Sequence, residues 1–376
     1  MIKEKVRVGV DATPMLEPRS GVGYYTSRLL SSLLHNSKGW EFHLFSNRDL
    51  GNLEPPLDRA MRPQRYFGGS RWLWLHLILP AIVRRRRLDL CHYTNAVAPL
   101  WQSVPYILTI HDASLFLQPQ HHPRARHLTM RLFLPWVARR AAAIITVSEH
   151  ARRDLLHILR LPPEKVRVVY EAAPQWFRPV LDAQKKQHLR EKYKLPEQFI
   201  LYVGTLEPRK NLHRLIQALS KVHQSGFKLP LILAGARGWM MEDFERRVAA
   251  LQLQRSVRYL GYVPTADLPG LYSLCTIFAF PSLYEGFGLP PLEAMACGAP
   301  VLTSNRSSLQ EICGEAALLV NPLCVDDIAA GIRTLLDDRE LRLELSHRGQ
   351  QRARSFSWAR AAQETTAVYN QALAAA

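Results

Sequence analysis

The residue types with the most chemistry to offer lie in a few short stretches. The richest is Ser282-Leu-Tyr-Glu285-Gly-Phe-Gly-Leu-Pro-Pro-Leu-Glu293. A carboxylate accepts hydrogen bonds from a pair of sugar hydroxyls, so Glu285 and Glu293 can hold a sugar and a ribose. The competing readings are helix-dipole stabilisation for Glu293 and a surface loop charge for Glu285. Pro290 and Pro291 predict a helix start, because a missing N–H costs nothing in a first turn. The amides of Phe287, Gly288 and Leu289 then point at whatever the loop binds. A second stretch, Gly204-Thr-Leu-Glu-Pro-Arg-Lys-Asn211, places two adjacent cations after an apolar run. Arg209 binds phosphate as a fork and Lys210 as a point charge, which suits a diphosphate; a solvated pair of loop charges is the alternative.

Three further stretches carry weaker signals. Ser20-Gly21-Val22-Gly23 reads as a glycine-rich loop leading into a helix over Tyr24–Leu34, where Gly21 and Gly23 let backbone approach an anion. Thr26 stands where the dinucleotide fingerprint requires Gly or Ala, so a tight turn without a ligand is equally consistent. His111 ends the apolar run Tyr106–Ile110 and can polarise or hydrogen-bond a substrate, or be structural; Ser148 suits a helix N-cap. Basic and aromatic residues interleave in Arg71-Trp-Leu-Trp74, in Arg84, Arg85, Arg86 and Arg87, and in Arg131, Trp136, Arg139 and Arg140. This pattern fits an anionic membrane interface, RNA, or a buried aromatic face with a solvated arginine edge.

These residues need a frame. Val6–Val10, Phe42–Phe45, Leu88–Cys91, Tyr106–Ile110, Ala143–Val147 and Val166–Val169 are short apolar runs, most of them separated by helical patterns. Continuous Val/Ile/Leu runs alternating with helices predict a parallel sheet covered on both faces. The pattern fades over residues 175–198. It resumes with Phe199–Val203, Leu229–Ala234, Val257–Leu260, Ile277–Phe280, Val301–Ser304 and Ala317–Val320. Two doubly wound α/β domains are expected, residues 1–175 and 176–357, facing each other across a cleft. A last helix, residues 358–376, has no strand after it. Ligands of such sheets bind beyond the carboxyl ends of the strands, where the candidate residues fall.

Composition narrows the partners. The 376 residues include 49 Lys and Arg against 32 Asp and Glu, a net charge of +17. Most of that excess lies in the first half, a field that attracts phosphate in nucleic acid, lipid or a small molecule. The five cysteines have no CxxC spacing, which argues against zinc or a disulfide framework. The longest apolar run, Trp72–Val83, is interrupted by His76 and Pro80 and is too short to span a bilayer. No RNP-type, KH-type or zinc-finger pattern supports RNA binding. A cytosolic, soluble or peripheral protein is expected, with reduced cysteines.

The quoted motifs resemble the retaining, nucleotide-sugar-dependent glycosyltransferases of family 4. Glu285 and Glu293 match the family's E-x7-E spacing. EPRKN (Glu207–Asn211) resembles its phosphate loop, and PSLYEGFGLPPLEAMACGAPV (Pro281–Val301) is similar throughout. SGVGYY (Ser20–Tyr25), HD (His111–Asp112) and ITVSEHARRDL (Ile145–Leu155) extend the likeness to the first half. The resemblance implies the GT-B architecture, with the last helix packing back on the first domain. It implies that Arg209 and Lys210 bind the donor diphosphate, Glu293 the ribose, and Glu285 and His111 the transferred sugar near its anomeric carbon. Amides of Phe287, Gly288 and Leu289 would contact sugar and phosphate, and the Gly21–Gly23 loop would close over the diphosphate. Thr205 replaces an arginine that many members carry, leaving Arg209 and Lys210 as the main cations. No cofactor or obligatory metal is expected. The block around Glu285 is especially similar to bacterial O-antigen and exopolysaccharide mannosyltransferases. It implies GDP-mannose as donor, with a UDP-hexose as the alternative, and a lipid-linked glycan acceptor at the inner face of an anionic membrane touched by Arg84–Arg87. A non-enzymatic RNA- or membrane-binding protein, or a phosphorylase of the same fold, would be the competing identity.

Overall fold

The apolar runs become strands because each must bury both faces, and a parallel sheet between helices is what offers that. The computed structural model describes residues 5–16, 21–36, 39–50, 57, 64–65, 70–121, 124–238 and 243–375. Ser20 and Trp239 lie outside them. The chain divides into two compact units, residues 1–171 with 357–376, and residues 172–356.

The first unit holds a parallel sheet of β1 (Val6–Asp11), β2 (Trp40–Ser46), β3 (Gln64–Arg65), β4 (Leu90–Tyr93), β5 (Tyr106–Thr109), β6 (Ala143–Thr146) and β7 (Val166–Val168). Their order is β3-β2-β1-β4-β5-β6-β7. β4 and β5 are buried along their whole length. Each fully buried Val, Leu or Ile contributes about 1.5–3 kcal/mol, which fixes the strands without help from turn chemistry. The two-residue β3 is an edge addition with no apolar run to announce it. The last helix, Trp358–Ala374, packs on the first, Gly21–Asn36. Tyr369 on it reaches His92 of β4, with its hydroxyl 2.8 Å from Nδ1.

The second unit repeats the plan with β8 (Ile200–Val203), β9 (Leu231–Ala234), β10 (Val257–Gly261), β11 (Ile277–Phe280), β12 (Val301–Ser304) and β13 (Leu318–Val320). Their order is β10-β9-β8-β11-β12-β13, again all parallel. In both sheets the strand order reverses beside the unit's first strand, between β1 and β4 and between β8 and β11. Loops leaving those two strands in opposite directions open a crevice at the carboxyl edge.

One local feature differs from the sequence reading. The first helix begins at Gly21, so Gly21 and Gly23 form its opening turn, not a loop before it. The run Trp72–Val83 is helical from Arg71 to Arg85. Its middle turn is widened, with Leu79 N–H donating to the Trp74 carbonyl five residues back. Pro80 explains this, since its ring cannot fit beneath the preceding turn and it has no N–H to give. Ser148 caps the helix Glu149–Leu159, accepting from the Ala151 amide at 3.0 Å.

Candidate functional site

The two strongest motifs, 75 residues apart in sequence, meet at the switch point of the second sheet. Glu207–Asn211 follows β8, and Pro281–Gly288 follows its neighbour β11. Backbone ties them together. The Arg209 carbonyl accepts from the Leu283 amide at 2.9 Å and from the Ser282 hydroxyl at 3.1 Å. Asn211 takes the left-handed conformation at φ 64°, which its short polar side chain tolerates. Its Nδ2 donates to the carbonyls of Pro281 and Pro322, at 2.9 and 2.7 Å.

The charges inside this frame neutralise one another. Arg209 donates to Glu285 Oε2 at 2.9 Å, to the Tyr284 carbonyl at 2.7 Å, and to Glu207 at 2.7 Å. Lys210 Nζ donates to Glu285 Oε1 at 2.7 Å and lies 5.2 Å from the Phe280 ring centroid. The Ser282 hydroxyl donates to the same Glu285 oxygen at 2.6 Å. Glu285 is 7% exposed. Burial works to raise its pKa, but the charges of Arg209 and Lys210, with the hydrogen bonds from Lys210 and Ser282, outweigh burial and hold it at about 2. Glu285 is therefore an ionised anchor, not a proton carrier. Glu207, which the sequence reading passed over, is the second buried counterion. Only its place one residue before Pro208 hinted at it.

Gly288 precedes the helix Leu289–Ala296 at φ 111°, with the Leu309 side chain 2.7 Å from where a Cβ would sit. The Ser308 hydroxyl lies 2.9 and 2.8 Å from the carbonyls of Glu285 and Phe287, holding the turn between them. Glu293 stands one turn into that helix and accepts from the buried Tyr272 hydroxyl at 3.2 Å. A cavity of about 410 Å³ lies between β9, β10 and the helix Phe244–Ala250, lined by Leu206, Arg237, Phe244 and Tyr259 among others.

The first unit gathers its own candidates at the carboxyl edge of its sheet. The Thr26 hydroxyl lies within 2.9 Å of the Val22 carbonyl and the Thr94 hydroxyl. Thr94 in turn donates to the Asp11 carbonyl at 3.1 Å. Thr26 thus ties the first helix to β1 and β4, a link that the Gly or Ala of the dinucleotide fingerprint could not make. His111 follows β5, with Nδ1 3.2 Å from Glu171 and Nε2 3.0 Å from the Thr94 carbonyl.

The basic, aromatic stretches split between core and surface. Trp74 is fully buried, whereas Trp72 is 55% exposed, Leu77 61%, Trp101 69% and Leu132 65%. Arg84–Arg87 are all exposed. The Arg140 guanidinium lies over both Trp101 and Trp136, 5.2 and 4.7 Å from their centroids. His76 Nδ1 accepts from the Leu100 amide, joining the helical run Arg71–Arg85 to the Trp101 loop. Among the described residues, no helix is long and apolar enough to cross a membrane.

Comparison with known proteins agrees with this geometry. The family model "Glycosyl transferases group 1" matches residues 184–352, and "Glycosyltransferase Family 4" matches residues 19–173. The O-antigen chain mannosyltransferase B of Escherichia coli is 38% identical over 70% of this chain and 69% of its own. The serotype-specific mannosyltransferase WbdA of the same organism is 37% identical over 59% of this chain, which spans 28% of that longer protein. Sucrose-phosphate synthase from Thermosynechococcus elongatus shares the fold, with a TM-score of 0.80 at 22% identity over 99% of this chain and all of its own. The paired α/β units, the charge cluster at the switch point and these matches lead to one conclusion: the chain belongs to the glycosyl transferases group 1, with a family 4 glycosyltransferase first half, and is a nucleotide-sugar hexosyltransferase of the GT-B fold class.

Proposed function

We propose that the protein moves mannose from GDP-mannose, with retention of configuration, onto a lipid-linked glycan during assembly of a cell-surface polysaccharide. The observation that carries this reading is the Arg209–Lys210–Glu285–Glu207 cluster at the switch point. A departing nucleoside diphosphate develops negative charge that must be neutralised, and fixed cations in a water-poor site do this at little reorganisation cost. The diphosphate takes over Lys210 and Arg209, and Glu285, displaced from them, accepts hydrogen bonds from the sugar hydroxyls. Glu293, steadied by Tyr272, takes the ribose. Amides of Phe287, Gly288 and Leu289 contact sugar and phosphate, the opening turn at Gly21 and Gly23 offers further N–H groups, and His111 contacts the transferring sugar. The protein's own cations supply the charge, with no metal required. Mannose is favoured over other hexoses by the likeness to the two mannosyltransferases.

The first unit takes the acceptor and rests on an anionic membrane surface at the cytoplasmic face. Residues 70–147 contain ten Arg, two Asp and no Lys or Glu. Both Asp are engaged by backbone amides, Asp89 by that of Arg7 and Asp112 by that of Ser114. Protruding Trp72, Leu77, Trp101 and Leu132 beside arginines suit the headgroup boundary, where apolar side chains insert and guanidinium groups meet lipid phosphate.

A thermal-shift screen with GDP, UDP, ADP and their sugars tests the donor. Binding to the native state stabilises by mass action, about 2.7 kcal/mol at a hundredfold excess over Kd. GDP and GDP-mannose are expected to give the largest rise in Tm, and Lys210→Ala to abolish it. A larger rise with UDP transfers the assignment to a UDP-hexose. No rise with any nucleotide at millimolar concentration, together with salt-sensitive RNA binding, would overturn the enzyme reading in favour of a basic binding protein.

A further inference from the structure

His111 has an oxygen acceptor at each ring nitrogen, the Glu171 carboxylate at Nδ1 and the Thr94 carbonyl at Nε2. A neutral imidazole carries one N–H and would set its lone pair against one of these oxygens; an imidazolium satisfies both. Glu171 lies three residues beyond β7 and is 4% exposed. The Tyr25 ring stands edge-on to His111, with centroids 4.6 Å apart.

Among the described residues, the titratable groups that face the ring are Glu171, Asp112, Tyr25 and His92. Asp112 is occupied by the Ser114 amide and hydroxyl, at 2.8 and 2.6 Å. His92 sits between the Tyr369 and Thr109 hydroxyls, and burial with the charge of His111 pushes its pKa down to about 3, so it is neutral. Burial opposes charge on His111, but the hydrogen bond and charge of Glu171, with the Thr94 carbonyl and the charge of Asp112 adding to them, outweigh it, so its pKa is raised. Glu171 is the carboxylate in direct contact with the ring.

We propose that Glu171 is a positioning residue for transfer, holding His111 as an imidazolium with its ring fixed through Nδ1. Nε2–H, shared between the Thr94 carbonyl and the substrate, then carries a positive charge to that contact. The consequence for transfer rests on the reading of His111 as a substrate contact; the charge state of His111 does not.

The test uses the full chain carrying Glu171→Gln, which keeps the shape and removes the charge, and Glu171→Asp, which keeps the charge. Histidine-selective NMR titration, with the His111 signal assigned by its loss in His111→Asn, reads the charge directly. The His111 midpoint is expected above 6.5 in the wild type, lower in Glu171→Gln, and restored toward the wild type in Glu171→Asp. In GDP-mannose turnover, the alkaline limb of kcat should move to lower pH in Glu171→Gln with KM little changed. The loss at pH 8 should be on the order of tenfold or more, with partial rescue in Glu171→Asp. An unchanged His111 midpoint in Glu171→Gln overturns the proposal. A midpoint that moves while the rate profile stays put overturns the role in transfer and the placement of His111 at the substrate, but leaves the ion pair standing. Should Glu171→Gln fail to fold, a Glu171→Asp with wild-type midpoint and profile supports the proposal, and one with the midpoint lost refutes it.

Discussion

Neutralising Glu285 should cost stability in the ligand-free protein, and by an amount the site geometry sets. Glu285→Gln keeps the shape but removes the charge that faces Arg209 and Lys210 at 2.9 and 2.7 Å. The folded-state pKa of about 2, against 4.5 for an unperturbed glutamate, corresponds to about 3 kcal/mol of stability at pH 7. Breaking a buried ion pair by removing one partner costs about 3–5 kcal/mol in general, in agreement. Because the pKa is depressed on folding, this contribution is complete above about pH 4.5 and is lost as pH falls toward 2. The gap between wild type and Glu285→Gln should therefore narrow to about 2 kcal/mol at pH 3.5. Urea unfolding with pulsed hydrogen exchange is the suitable assay, since peptides from residues 199–235 assign the transition to the second unit. A variant as stable as wild type at pH 7, or a gap that widens on acidification, would refute the view that this carboxylate anchors the two cations.

Other outcomes follow from the same geometry. Gly235 has φ 139°, and a Cβ added there would meet the Gly204 carbonyl oxygen at 2.1 Å. Gly235→Ala should thus destabilise the second unit by roughly 2–4 kcal/mol, and a wild-type melting profile would contradict that close approach. Replacing Arg84–Arg87 by Gln should weaken binding to phosphatidylglycerol vesicles by roughly two to three decades, at about 1 kcal/mol per arginine. Trp101→Ser with Leu132→Ser should weaken it further even at high salt, and unchanged sedimentation with vesicles would return these residues to an ordinary solvated surface.

Much of the site was legible because its parts are local. EPRKN and the Glu285–Glu293 block each follow an apolar run, and a run that short, rich in β-branched and aromatic residues and bounded by turn residues, favours a buried strand. The expected strands therefore appear within a residue or two of their observed bounds. β3 escaped because an edge pairing of two residues leaves no apolar signature. The start of the first helix was misplaced because glycine, read as a loop former, is equally acceptable in an opening turn whose amides have no partners. The basic clusters could not be divided by type alone: Trp72 and Trp74 are two positions apart on one helical run, yet one faces solvent and the other the core.

By itself the sequence determined the two α/β units, the strand ends that carry the motifs, and the family. Hydrophobic periodicity and contiguous motifs are properties of neighbouring residues, and neighbours are what a sequence displays. Tertiary structure alone decided which charges meet. Glu285 finds Arg209 across 76 residues and Lys210 across 75, and Glu171 finds His111 across 60. Those pairings depend on the crossover order of the sheets, which brings β8 beside β11. Once buried there, the partners set the protonation states that the residue types left open.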